Sequence, residues 1–180
     1  VSEKAHYTGH RQRLRERFAK AGAEGLADYE LIELLLFGTL PRGDVKPLAK
    51  NLLARFGRVG AVLAAEPRAL GEVDGASQAV VHALKLAEAA AIRMLGDQLR
   101  DRPVIANWKA LLDYCKASLA HKMNEQFHVL FLDNNNSLIA DETQQKGTVN
   151  HVPLYPREVI KRALELNASE IILVHNHPSG

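Results

Sequence analysis

His175 and His177 stand one residue apart in "ILVHNHPSG", at the end of an apolar run, and two imidazoles at that spacing can do metal chemistry. In a strand, side chains at i and i+2 leave from one face, with Cα atoms about 6.5–7 Å apart. Two histidines so placed converge on one zinc ion, whose Zn–N bonds are roughly 2.0–2.1 Å. Asn176 between them points to the opposite face. Pro178 is expected to end the ladder, leaving both histidines at a strand terminus that faces open space, as a catalytic metal requires. Two ligands are still one short of the three that catalytic zinc usually takes from protein.

The remaining reactive side chains narrow the choices. His151, in "GTVNHVP", reads as a loop residue, and His128 as a histidine packed within a strand. Cys115 is the one cysteine of the chain, so no internal disulfide can form and a reducing, cytoplasmic setting is expected. Inside a helix it reads as an inert, buried thiol. A zinc deaminase, which needs His-x-Glu and Pro-Cys-x-x-Cys, is excluded by that count.

These residues need elements to hold them. The first hundred residues read as short helices. In "RQRLRERFAKAG", Leu14 and Phe18 form an apolar i,i+4 pair and Gly22 is the stop. "DYELIELLLFG" has Asp28 as N-cap and closes at Gly38. "DVKPLAKNLLARFG" has Asp44 as cap, Pro47 in the first turn and Gly57 past the end. Short helices follow near 60–65 and from Pro67, and Ser77 caps a long Ala-rich helix to about Leu99. The charged stretch "GDQLRDRPVIAN", with Pro103, suggests a boundary between domains 1–100 and 101–180. Beyond it the order is α–β–β–α–β: Asn107 caps a helix to about Leu119, "EQFHVLFLD" and "SLIADETQQ" are strands around an "NNN" turn, "PREVIKRALELN" is an amphipathic helix, and "EIILVHNH" is a buried strand.

Composition sets outer limits. A chain of 180 residues that is 47% apolar has a packable core, and a net charge of +2 points to no particular partner. No apolar stretch approaches the roughly 18–20 residues that span a bilayer, so no membrane partner is expected. The N-terminus is too polar for a secretory signal, and its first residue, Val rather than Met, suggests a clipped start or a cloned fragment.

Phosphate binding is the second chemistry to weigh. "LGEVDGASQAVVHALKLAEAA" resembles a helix–hairpin–helix element, in which a glycine turn offers backbone N–H groups to a phosphate at a helix N-terminus. Gly75 keeps the first glycine of that turn and Ser77 replaces the second. Arg42 and Lys46, in "LPRGDVKP", could add sequence-independent phosphate contacts. Arg11, Arg13, Arg15 and Arg17 are spaced by two, which spreads them around a helix as a solvated surface. Trp108 is a lone aromatic that reads as packing at the domain junction, so no stacking platform for single strands is present.

"HRQRLRERF", "DYELIELLLFGTLPRGDVKPLAKNLLARFG", "FHVLFLDNNNSLIADE" and "GTVNHVPLYPREVIKRALELNASEIILVHNHPSG" together resemble the bacterial RadC family, named for DNA repair. The second half looks like a JAMM/MPN-type metalloprotease domain, whose signature is His-x-His-Pro followed by Ser-x-x-Asp. The resemblance implies that His175 and His177 are zinc ligands. It places the third ligand, an Asp, and a carbonyl-polarising Ser past Gly180, so the site is expected to be split and this polypeptide to bind zinc weakly or not at all and be inactive. It also implies a glutamate general base on an early strand. "NEQFHVLFLD" resembles that strand and nominates Glu125, which alternation places on one face with Phe127, Val129 and Phe131; Glu142, in "IADETQQKG", is the second choice.

The expected fold is therefore α+β, a helical, helix–hairpin–helix-like domain followed by a C-terminally incomplete MPN-type sheet domain. Two functions stay open: a zinc-dependent peptidase-like hydrolase of unknown peptide or protein substrate, and a non-catalytic DNA-associated module that uses the sheet domain as a scaffold.

Overall fold

The computed structural model of the chain describes residues 9–100, 103–120, 122, 124–146 and 155–177. Contacts divide the chain into two compact units, Val1–Glu88 and Ala89–Gly180. The division falls within a helix, ahead of the charged stretch around Pro103.

The first unit is helical. It contains α1 (His10–Ala21), α2 (Asp28–Leu36), α3 (Lys46–Phe56), α4 (Val59–Ala64), α5 (Pro67–Gly71) and the first half of α6 (Gln78–Arg100). Its core is aliphatic, with Leu36, Leu52, Val62, Leu70 and Leu84 fully shielded from solvent. Truncating any of these leucines to Ala would cost about 2–5 kcal/mol through lost burial and the cavity left behind. The caps follow local chemistry. Pro47 sits in the first turn of α3 and Gly57 ends the helix at φ 87°, but Val45 rather than the expected Asp44 occupies the N-cap; the Asp44 carboxylate, one residue ahead, accepts from the Lys46 amide at 3.0 Å. Ser77 Oγ accepts from the Val80 amide at the start of α6, as expected of its cap.

Three further expectations for the helices change. Asp28 is the first residue of α2 and Ala27 occupies the N-cap; the cap bond comes from Glu30, which reaches back to the Ala27 amide at 3.0 Å. The helix closes at Leu36, ahead of Gly38. Phe18 is 41% exposed, because α1 buries a single turn around Leu14.

Further features of this unit are electrostatic. Arg17 is paired with Glu30, and the Arg11 guanidinium donates to the Gly43 carbonyl at 3.0 Å and lies over the Phe37 ring. Burial pushes the Glu30 carboxyl up, but hydrogen bonds from Arg17 and from the Ala27 amide outweigh it and hold the group below its ordinary value. Glu33 is wholly buried with one oxygen 3.2 Å from His10 Nε2.

Among the described residues, the second unit is a three-stranded antiparallel sheet between helices. Its elements are the end of α6, α7 (Trp108–Leu119), β1 (Gln126–Leu132), β2 (Leu138–Lys146), α8 (Pro156–Glu165) and β3 (Glu170–His175), with strand order β2–β1–β3. β1 alternates in the way its sequence demands. Leu130 and Leu132 pack with Leu99, Val104 and Leu111 on the α7 side. Val129 and Phe131 pack with Val159 of α8 on the other. The "NNN" stretch turns β1 into β2, with Asn136 at φ 61° and the Asp133 carboxylate accepting from the Asn135 and Ser137 amides.

Here too the structure departs from sequence expectation. Among the described residues β3 lies at the edge of the sheet rather than buried within it, and Leu173 is 48% exposed while Val129 and Phe131 of β1 are covered by Val159 of α8. Trp108 opens α7 at 54% exposure, while Ala110 and Leu111 carry the packing of that turn. Asn107 occupies the N-cap position without a side-chain cap bond. His151 and Pro178 lie outside the described residues.

Candidate metal centre

The pairing of β1 with β3 builds the site. Its register runs Leu132↔Glu170 to Phe127↔His175, so Phe127 faces His175 on the last pair of the ladder. The two rings lie nearly parallel, 6.4 Å apart. Carried one step further along each chain, the same register sets Gln126 opposite Asn176; a second step sets Glu125 opposite His177. Phe127 and His175 thus share the face of the sheet that carries Val129, and the extended register would bring Glu125 and His177 towards it.

The ladder stops at His175, and His177 lies past the strand. The expected end at Pro178 is therefore too late. The cause is Asn176, which is buried and replaces backbone pairing with side-chain pairing: its Oδ1 accepts from the Gln126 amide at 2.8 Å. Even so, the two imidazoles meet. His175 Nε2 and His177 Nε2 are 2.8 Å apart, with the rings edge to face.

Glu125 is buried, yet its Oε1 reaches to 3.6 Å from His177 Nδ1. One ligand atom from each of Glu125, His175 and His177 lies within 4.8 Å of the others, and this is the group of three potential metal ligands found among the described residues. The histidines are solvent-exposed and the carboxylate is recessed, so the cluster opens outward. Two imidazole nitrogens with a recessed carboxylate beside them suit a borderline cation such as zinc. Beside the histidines lies a cleft of about 300 Å³, walled by Leu112, Cys115, Leu119 and Val174 and rimmed by Lys116.

The other sequence candidates lie elsewhere. Glu142 pairs with the Arg162 guanidinium through contacts of 2.7–3.0 Å and is not in the cluster. This pairing, with Glu165 adding to it, pushes Arg162 further above its already high value. Cys115 is partly buried, and desolvation with the nearby Asp141 pushes its thiol up to about 11, the behaviour of an inert cysteine. His128 lies on the α7 side of the sheet, its Nδ1 2.8 Å from Asp141 Oδ1. Asp141 also accepts from the Tyr114 hydroxyl at 2.5 Å, and burial followed by that bond pushes the phenol well above its ordinary value. Sequence reading missed this Tyr114–Asp141–His128 network, since its members come from three elements.

In the helical unit, Gly75 takes φ 82° and lies against Leu48, two residues from Lys46. Arg42 is exposed on the loop before α3.

The family model described as a RadC-like JAB domain matches residues 105–180. A UPF0758 protein of Rhodobacter capsulatus is 62% identical over 167 residues, covering 93% of this chain and 78% of the relative. A UPF0758 protein of Ruegeria pomeroyi is 59% identical over 171 residues, covering 95% and 76%. The chain belongs to the UPF0758 (RadC) family. Among the described residues, no helix is long and apolar enough to cross a membrane.

Proposed function

We propose that this chain carries the larger part of a zinc-dependent hydrolytic site that cleaves amide bonds in a peptide or protein. The observation behind this reading is the convergence of Glu125, His175 and His177 within 4.8 Å. His175 and His177 are the metal-holding pair, and a third ligand, the Asp of the Ser-x-x-Asp part of the JAMM signature, comes from outside these 180 residues. Zinc held by His175 and His177 would supply Lewis acidity and activate water for attack on an amide carbonyl. Glu125 is the general base: recessed behind the histidines, it takes a proton at its carboxylate and returns it to the leaving amine. The cleft beside the histidines gives the substrate chain a place to lie.

The test is zinc calorimetry on this chain and on one extended through the Ser-x-x-Asp segment, each with and without His175→Ala, followed by peptide hydrolysis. One-to-one binding in the extended chain, lost in the variant and accompanied by hydrolysis, supports the reading. Equal weak binding in every sample removes His175 and His177 as ligands and the hydrolase with them.

A second reading gives the helical unit a DNA contact. It rests on the Gly75 turn at the start of α6, packed next to the helix start that carries Lys46. It is tested by the salt dependence of duplex binding.

A further inference from the structure

Asn176 lies between the two histidines, yet none of its hydrogen bonds goes to either. It is 9% exposed, and its side chain makes three bonds to main chain about fifty residues away. Oδ1 accepts from the Gln126 amide at 2.8 Å. Nδ2 donates to the Lys122 and Asn124 carbonyls, each at 3.3 Å. Asn124 and Gln126 are the residues on either side of Glu125.

We infer that Asn176 is the positioning residue of the site, a staple that fixes the backbone on both sides of Glu125 to the backbone that carries His175 and His177. The inference rests on the metal-site reading of those three residues and adds to it what sets their mutual distance. Ordinary strand pairing cannot do this work, because the ladder ends at Phe127↔His175. One step further, continued pairing would keep His177 in the strand. The Asn176 side chain satisfies the Gln126 amide in place of a backbone carbonyl and lets the chain leave the sheet at that point. His177 can then close on His175 Nε2 and on Glu125. Only a carboxamide supplies the acceptor and the paired donors together from one short side chain. Asp keeps the acceptor and loses both donors, and Ala loses everything.

The experiment uses cobalt(II) as the probe, added to the wild-type chain and to its Asn176→Ala, Asn176→Asp and His128→Ala variants. Circular dichroism and amide exchange at Val129 and Leu173 report whether the sheet is intact. With the sheet intact, Asn176→Ala is expected to weaken cobalt binding about 10–100-fold and to shift its visible absorption bands. Asn176→Asp should fall between Asn176→Ala and wild type, and His128→Ala, on the other side of the sheet, should match wild type. Unchanged cobalt affinity and spectrum in Asn176→Ala overturns the inference. If Asn176→Ala does not fold, Asn176→Asp decides in the same way.

If the wild-type chain binds no cobalt, the metal reading fails on its own, and metal-free NMR judges the staple. The ring signals of His175 and His177 and the carboxyl carbon of Glu125 should move in Asn176→Asp while the ring signals of His128 stay in place. No movement at the three residues overturns the inference.

Discussion

Glu125 and His177 come from segments separated by most of the second unit, yet Glu125 Oε1 lies 3.6 Å from His177 Nδ1. The carboxylate is shielded and the imidazole is open to solvent. On the hydrolytic reading proposed above, this order suits a base behind a metal ligand: the ligand would meet what arrives, and the base would be within reach but kept from competing water.

That relationship separates the two glutamates. In an active, extended chain, Glu125→Gln should reduce peptide hydrolysis about 10²–10⁴-fold and leave zinc affinity within a few-fold. Glu142→Gln should leave hydrolysis within twofold and lower the urea midpoint by loosening Arg162 of α8 from β2. Steady-state rates and zinc calorimetry on both variants check this, and the reverse pattern would make Glu142 the base.

The Glu30 carboxyl gives a pH signature in the helical unit. Its folded pKa is depressed below the ordinary carboxylate value of 4.5, so its contribution to stability is complete above that value and is lost as the pH falls through the depressed one. Glu30→Gln should therefore unfold at lower urea than wild type at pH 7, and the gap should close on acidification. Urea midpoints at pH 7, 5 and 3 test it, and a gap that widens in acid would contradict the ion-pair account.

Cys115 should be slow to react. With its thiol pushed up to about 11, thiolate at pH 8 is about 100-fold scarcer than for an ordinary cysteine, and disulfide-reagent labelling should slow accordingly. The unfolded chain ionises first, so stability should fall as pH rises from the ordinary thiol value of 9.0 towards 11. Cys115→Ala should flatten that fall, measured by thermal unfolding across the range; an equal slope in the variant would assign it to Tyr114.

If the helical unit meets DNA, it does so through phosphates. The double variant Arg42→Ala, Lys46→Ala should weaken duplex binding uniformly across sequences and lower the slope of log K against log salt by about 2. Fluorescence anisotropy between low and moderate salt reads this directly. An unchanged slope would remove the two residues from the contact.

Much of this was legible from the chain and some of it could not be. Strand period two put Glu125 on the face of Phe127 and Val129, and the His-x-His spacing put the imidazoles together, since both are local rules. The helix starts at Pro47 and Ser77 were legible for the same reason. The exposure of β3 was not, because "IILV" reads alike at the centre and at the edge of a sheet; strand order decides. Nor was the role of Asn176, whose partners lie about fifty residues away and are set by register. The Arg162–Glu142 and Tyr114–Asp141 pairs needed knowledge of which helix lies on which face of the sheet.

The strand order has a kinetic consequence. β1 and β2 are joined by a tight turn and can pair early at little entropic cost, whereas β1 and β3 must close the longer loop 133–169 before their contacts repay it. Glu125 and the histidines meet across that second, slower pairing. A metal ion that binds the assembled cluster and not the open chain would therefore act as a latch on the last-formed contact of the unit. Its main effect on the lifetime of the native state would be on unfolding rather than on folding.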